Sequence, residues 1–535
     1  MKKHRLLYIP IGILFLLSFV DCAKRGTPTG GKLDSIPPVI VKSSPENYST
    51  NFTGTEFRIY FNEYVKFQDL NTELLISPPM KYAPNITPLS TGKYIKVKIL
   101  DTLRENTTYA FNFGKSIIDN NEGNEFDYFK YVFSTGEYID SLKVTGTIRD
   151  IQLVNPEPPI SIMLYEVNET FNDSLIFTEK PMYVAATKDS TNTFELSNLK
   201  AGEYLMVALK ESSRDFTFQP KSDKIAFSKQ HISIPTDSSF TLTLFKEATE
   251  YKIARPKHET KNHVLFGYEG KKDSLQIELL TKVPDDFDYR IYQDTKTDSL
   301  HYWFRPELEI DTLQFLAKHM GQTDTLTLKL RNLFRDSLNL SMYSDRTLRL
   351  KDTLKINANT PLISIDVEKI SLLDKDSITV PIRVNVDPKY NLAEVIFDKA
   401  ESQSYTLNAL PGAFTDFYEA TNDTLQFRTS TKAISDYGSL AINLSNPKSY
   451  PIIIELMDEN YEVIERSYLT EDKTTLFESL TPAKYYVRIT YDENKNGIWD
   501  TGSFLLGLQP EPIIYYPSLI EVRGNWDLVE TFILD

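Results

Sequence analysis

Most of this chain is a succession of short runs in which apolar and polar residues alternate, each closed by turn-forming residues. Thr55-Glu-Phe-Arg-Ile-Tyr-Phe61, Tyr94-Ile-Lys-Val-Lys-Ile-Leu100 and Ser377-Ile-Thr-Val-Pro-Ile-Arg-Val-Asn-Val386 are examples. A period of two sends successive side chains to opposite faces of a strand, so each run buries one face and wets the other. Many such strands at short spacing define sandwiches. The expected fold class is therefore all-β, a tandem of β-sandwich modules. Helical periodicity is scarce, and residues 306–320 and 367–373 are the stretches where a helix is conceivable.

With 535 residues the chain exceeds what one core organises, and about three to five domains are expected. Tyr and Phe number 31 each against 20 Gly, a bias toward strand formers and away from Gly-rich phosphate loops. The net charge of −15 argues against nucleic acid, whose binding is dominated by cationic neutralisation of phosphates. It argues equally against a polybasic membrane-surface patch.

Lys2, Lys3 and Arg5 precede an uncharged apolar run at residues 6–20, the n-region and h-region of a secretory signal. The run is short for a bilayer span, which needs about 20 residues. Phe19-Val20-Asp21-Cys22 then resembles the lipobox of bacterial lipoproteins, in the loose form seen in Bacteroidetes, where Asp21 stands in place of the usual small residue. The resemblance implies diacylation of the Cys22 thiol and removal of residues 1–21. The alternative is an ordinary signal peptide with an incidental cysteine. Cys22 is the chain's only cysteine, so no internal disulfide is available. Residues 22–36, rich in Gly, Thr and Pro, read as a flexible tether. No acidic run, the usual cue for surface export in Bacteroidetes lipoproteins, follows Cys22, so the resemblance implies the periplasmic face of the outer membrane rather than the cell surface.

In residues 37–138, Pro37-Pro38, Ser44-Pro45, Phe61-Asn-Glu-Tyr-Val65, Leu103-Arg-Glu-Asn-Thr-Thr-Tyr109, Ile118-Asp-Asn-Asn-Glu-Gly-Asn124 and Phe133-Ser-Thr-Gly136 occur in that order. Together they resemble the bacterial Ig-like domain of S-layer and surface proteins, which implies a rigid spacer or adhesive module. Residues 119–124 form an Asx/Gly turn on this reading. Residues 142–247, through Val144-Thr-Gly-Thr-Ile-Arg-Asp150 and Phe194-Glu-Leu-Ser-Asn-Leu-Lys-Ala-Gly-Glu-Tyr204, resemble the transthyretin-like, carboxypeptidase-regulatory type of sandwich. Residues 437–535 repeat that signature, because Leu480-Thr-Pro-Ala-Lys-Tyr485 aligns without a gap on Leu199-Lys-Ala-Gly-Glu-Tyr204. Between the copies lie a β-rich module at residues 250–355 and an Ig-like β-sandwich at residues 356–432. The latter ends in Leu410-Pro-Gly-Ala-Phe-Thr-Asp416 and Asn422-Asp-Thr-Leu-Gln-Phe427, similar in cadence to the first module.

Asp492, Asn494 and Asn496 place oxygen side chains at positions one, three and five of a loop with Gly497 at six. The Ile498 carbonyl and Asp500 would complete a set of hard oxygen ligands, so calcium is the one cofactor suggested. Ser503 stands where an EF-hand has its bidentate Glu. The competing reading is an Asx turn with no metal. Asp-Ser/Thr-Leu/Ile triplets recur and resemble the O-glycosylation sequon of Bacteroidetes exported proteins, which implies glycans on hydroxyls such as Ser174, Ser274 and Thr325. An Asp turn before a strand gives the same triplet in any β protein.

His4, His231, His258, His263, His301 and His319 fall in no HExxH arrangement, and there is no Gly-x-Ser-x-Gly, P-loop or Rossmann fingerprint. No catalytic residue is assigned, and the chain is expected not to be an enzyme. Tyr485-Tyr486 and Tyr515-Tyr516 could stack on sugars, although alternation puts one of each pair in the core. The favoured function is a structural scaffold or interaction module in an envelope assembly, with the membrane and envelope proteins as partners. A surface adhesin or glycan-binding lipoprotein is the second reading, and a hydrolase built from carboxylates brought together by the fold is the third.

Overall fold

The computed structural model describes residues 34–187, 191–271 and 275–534, so the expectations for Cys22 and Ser274 lie outside the described residues. Strands make up nearly all the regular structure, and the α-helix among the described residues is the single turn Leu70–Glu73. The described residues divide into two compact units, one of residues 34–143 with 182–185 and 196–201, the other of the remaining described residues.

In the first unit, Ile40–Ser44, Glu56–Phe67, Gly92–Lys98 and Asn85–Thr87 form one sheet in that order, with Ile117–Asp119 pairing the far end of Glu56–Phe67. Leu75–Ser77, Thr108–Asn112 and Lys130–Ser134 form the second. Alternation in Glu56–Phe67 turns Phe57, Ile59 and Phe61 into the core. The Phe57 ring stacks on Tyr131 at 3.9 Å and meets Phe111 edge-on at 5.0 Å. Aromatic pairs in these geometries add about 0.5–1.5 kcal/mol each beyond area burial.

The second unit holds the rest. Leu142–Asp150 pairs in parallel with Ser239–Leu244 from residue 145 on, while Gly202–Lys210 is flanked by Ser161–Glu166, Lys224–Phe227 and Ile232–Ile234. The C-terminal module repeats this arrangement. Gly438–Ser445 runs parallel to Asp527–Ile533, and Ala483–Tyr491 is flanked by Ile452–Met457, Ile513–Tyr515 and Ile520–Val522. Ile452–Met457 is buried at every position, the pattern of a central strand covered on both faces.

Lys252–Ile253, His263–Glu269, Ser299–Arg305 and Asp288–Gln293 form one sheet of the third sandwich, with Gln276–Leu279, Thr312–His319 and Gln322–Lys329 opposite. Thr312–His319 is thus a strand, not the helix that residues 306–320 allowed. Leu313, Phe315 and Ala317 fill the core at a spacing of two, and Met320 and Gly321, both at positive φ, turn the chain directly into Gln322–Lys329. Residues 367–373 likewise give a 3-10 turn, Val367–Lys369, and then a strand, Ile370–Leu373. The fourth sandwich begins before the expected boundary at residue 356. Leu340–Met342 pairs with Leu354–Ala358, and Thr347–Leu348 with Leu425–Thr431, because Leu340 and Leu348 belong to that core.

Candidate functional site

The C-terminal loop suspected of holding calcium is folded by its own side chains. Asp492 sits at the end of Ala483–Tyr491 and is buried. Its Oδ1 accepts the Asn496 amide at 3.1 Å, and its Oδ2 accepts the Gly497 amide at 2.8 Å and the Tyr468 hydroxyl at 3.0 Å. Gly497 has φ +79°, a conformation that glycine adopts without strain. Asn494 and Asn496 take further loop amides on their Oδ1 atoms, and both donate Nδ2 to Asp500 Oδ2, Asn494 at 2.7 Å. Asp500 Oδ1 receives Lys271 Nζ at 2.9 Å, and that ammonium, with the two amides, holds the Asp500 carboxyl below its ordinary range against the effect of burial.

Glu511, which no motif singles out, closes the loop. It is buried, and its carboxylate accepts the amides of Glu493 at 2.8 Å and Asp500 at 3.0 Å, while its carbonyl accepts Trp499 Nε1–H at 3.1 Å. The loop brings Asp492, Asn494, Asn496 and Asp500 together, as their spacing suggests. Their side-chain oxygens are engaged by amides, a hydroxyl and a lysine, and Ile498 contributes an amide to the turn. Among the described residues, no group of three or more His, Cys, Asp or Glu is gathered to hold a metal ion. These hydrogen bonds are those of an Asx turn.

Ser174 is exposed on the 3-10 turn Asp173–Phe177, its amide bonded to Asn172 Oδ1 at 3.0 Å. Thr325 is exposed on Gln322–Lys329. Tyr485 is a core residue and Tyr486 stacks on Tyr461 at 4.8 Å, which in turn meets Tyr515 edge-on at 6.4 Å. Tyr516 donates its hydroxyl to Glu530 at 2.8 Å.

A histidine pair not signalled by spacing sits in the third sandwich, on the neighbouring strands His263–Glu269 and Ser299–Arg305. His263 Nε2 and His301 Nδ1 are 2.9 Å apart, and His301 Nε2 lies 3.1 Å from Asp294 Oδ2. His263 also stacks on Trp303 at 4.0 Å. Burial first, then the neighbouring His301 and His258, push His263 down to about 3, so it stays neutral at ordinary pH. A chain of this kind can orient an imidazole, but nucleophilic catalysis also needs a hydroxyl or thiol on it. Among the described residues no such side chain is hydrogen-bonded to either ring.

The fold and its sites define a tandem β-sandwich protein with an Ig-like first domain. Residues 34–135 match the bacterial Ig-like domain family. No curated protein matches the chain. Among solved structures, the surface layer protein SbsC, domains 1–6, is 12% identical and aligns over 93% of this chain and 68% of its own, with a TM-score of 0.15. The Bacillus anthracis TIE protein is 10% identical over 95% of this chain and 76% of its own, at 0.14. Titin domains A168–A170 are 10% identical over 52% of this chain and 99% of their own, also at 0.14.

Proposed function

We propose that this chain is a non-enzymatic cell-envelope lipoprotein, tethered to the outer membrane through Cys22, whose sandwiches serve as a scaffold or interaction arm in an envelope assembly. The observation that supports the reading most is the way side chains fix one sandwich of the second unit to the next. Phe504 from the C-terminal module lies against Phe227 at 5.2 Å, and Lys271 pairs with Asp500 at 2.9 Å. Arg349 pairs with Glu465 at 2.9 Å, and Arg305 donates to the Phe417 carbonyl at 2.7 Å. Joints locked by aromatic wedges and ion pairs suit a part that holds other proteins at set positions, since domains in one chain otherwise move relative to each other.

Replacing Cys22 by Ala tests the anchor: the protein should leave the membrane fraction, and persistence there would sink the lipid tether. Crosslinking in native membranes, read by mass spectrometry, tests the scaffold. Recovery of a reproducible envelope partner is expected, and recovery of none would end that reading.

A further inference from the structure

The outer face of the larger sheet in the first domain runs against the charge of the molecule. The chain as a whole carries −15, yet the positions that alternation turns outward here are mostly cationic and aromatic. The strand register lines up Lys42 with Tyr60 and Tyr94 on one rung, and Ser44 with Arg58 and Lys96 on the next. Lys98 follows, opposite Glu56. Glu56 is the carboxylate on these rungs, and Arg58 holds it at 2.8 Å. Nearby, burial and then the carboxylates of Asp119, Asp34 and Glu122 raise the Glu63 pKa.

The lysines lie over the rings. Lys42 Nζ is 5.0 Å from the Tyr60 centroid and Lys93 Nζ is 5.2 Å from that of Tyr64, while the Tyr60 and Tyr94 rings are 5.5 Å apart. Tyr64 and Tyr94 are 55% and 44% exposed. A cation over a ring is steadied without being neutralised, because the ring contributes only its quadrupole. This face therefore presents positioned positive charge and open ring faces together.

We propose that this face binds an acidic polysaccharide, whose carboxylates meet Lys42 and Lys96 while a sugar ring lies on the exposed Tyr94. Charge complementarity selects the ligand. Neighbouring strands are about 4.8 Å apart and outward positions along one strand about 7 Å apart. Such a grid suits carboxylates carried singly on successive sugar rings. Double-stranded DNA carries a charge every ~1.7 Å, far closer than the spacing of this grid, so its phosphates cannot be met one by one. The tyrosines give purchase on uncharged ring faces that ion pairing alone lacks. The inference stands whether or not the chain is a scaffold.

The test is titration calorimetry of the full chain with polygalacturonate oligomers, with neutral dextran, vesicles of phosphatidylglycerol and single-stranded DNA as comparisons. Polygalacturonate should bind and weaken as salt rises, and dextran should not bind. Both Tyr94→Ser and the double variant Lys42→Ser/Lys96→Ser should weaken it roughly tenfold, with little change in unfolding midpoint because Lys42 and Tyr94 are exposed and Lys96 is only half-buried. Absence of polygalacturonate binding, an unaltered affinity in Tyr94→Ser, or tighter binding to the vesicles or DNA would each overturn the proposal.

Discussion

Asp119 and Asp416 each end a three-residue strand and turn their carboxylates back onto the amides of the loop that follows. Asp119 accepts the amides of Asn121, Glu122, Gly123 and Asn124 at 2.7–3.1 Å. Asp416 accepts those of Tyr418 and Ala420, both at 2.9 Å, and the Thr360 hydroxyl. Burial acts to raise the Asp119 pKa, but the four amides outweigh it and hold the carboxyl below its ordinary value. A carboxylate lowered on folding stabilises the loop fully above the unfolded-chain value of about 3.9, and this is lost as pH falls through the lower folded value. Asp119→Asn should therefore speed hydrogen exchange across residues 119–126 at pH 7 by an amount equivalent to about 1–2 kcal/mol. The difference from the parent should shrink when the opening equilibrium is probed near pH 3, and a gap of constant size would disprove the charge argument. The Asp119 loop could be read from sequence because an Asx/Gly turn is local chemistry. Glu511 could not, because its partners Glu493 and Asp500 reach it only after the strand Ile513–Tyr515 has paired with Ala483–Tyr491. The Asp294, His301 and His263 chain was hidden for the same reason, since only strand pairing makes His263 and His301 neighbours.

Among the elements, strands declared themselves where one face is buried and misled where other cues were mixed. Thr312–His319 lacks Pro and Gly, which left a helix open, but its buried positions keep a spacing of two and a tight turn supplies the partner strand. Ile452–Met457 reads plainly as a strand, while the role of Glu455 within it does not. Glu455 is buried on the face that also hides Ile453 and Met457, and it stands in register with Arg466 on one neighbouring strand and Arg488 on the other. Arg466 reaches Oε1 at 2.8 Å and Arg488 reaches Oε2 at 2.7 Å, so both oxygens are engaged. Arg466 is exposed, but Arg488 is mostly buried, and removing the central charge leaves Arg488 without its ion partner, at a cost of about 3–5 kcal/mol. Glu455→Ala should lower the stability of the C-terminal module by that order in denaturant unfolding, whereas Glu455→Leu combined with Arg488→Leu should recover part of the loss. A Glu455→Ala protein as stable as the parent would show that water reaches Arg488.

Across the whole molecule, the repeated order of strands in residues 142–244 and 438–533 bears on how the second unit is assembled. The sequence showed the duplication through the matching turns at residues 199–204 and 480–485, because a strand, turn, strand signature survives copying. What it could not show is how the copies meet, since the contact is made by a loop that is longer in the second copy, between Tyr491 and Ile513, than between Lys210 and Lys224 in the first. Residues 501–509 extend from the Asp492 loop onto the first copy. Thr501 Oγ1 donates to the Lys246 carbonyl, the Phe504 amide to Glu247, and Gln509 Nε2 to the Phe227 carbonyl at 3.2 Å. Phe504 is buried against Phe227 and near Phe177. The polar loop of the second copy thus acts as a rigid base for an aromatic wedge. Phe504→Ala removes the wedge while leaving the Asp492 turn intact, and truncating a buried Phe costs about 3–5 kcal/mol. That loss falls on the joint, so calorimetry should resolve the two copies as separate unfolding steps where the parent melts them together. A variant that still unfolds with the parent's cooperativity would mean that the ion pairs, Lys271 with Asp500 above all, hold the joint by themselves.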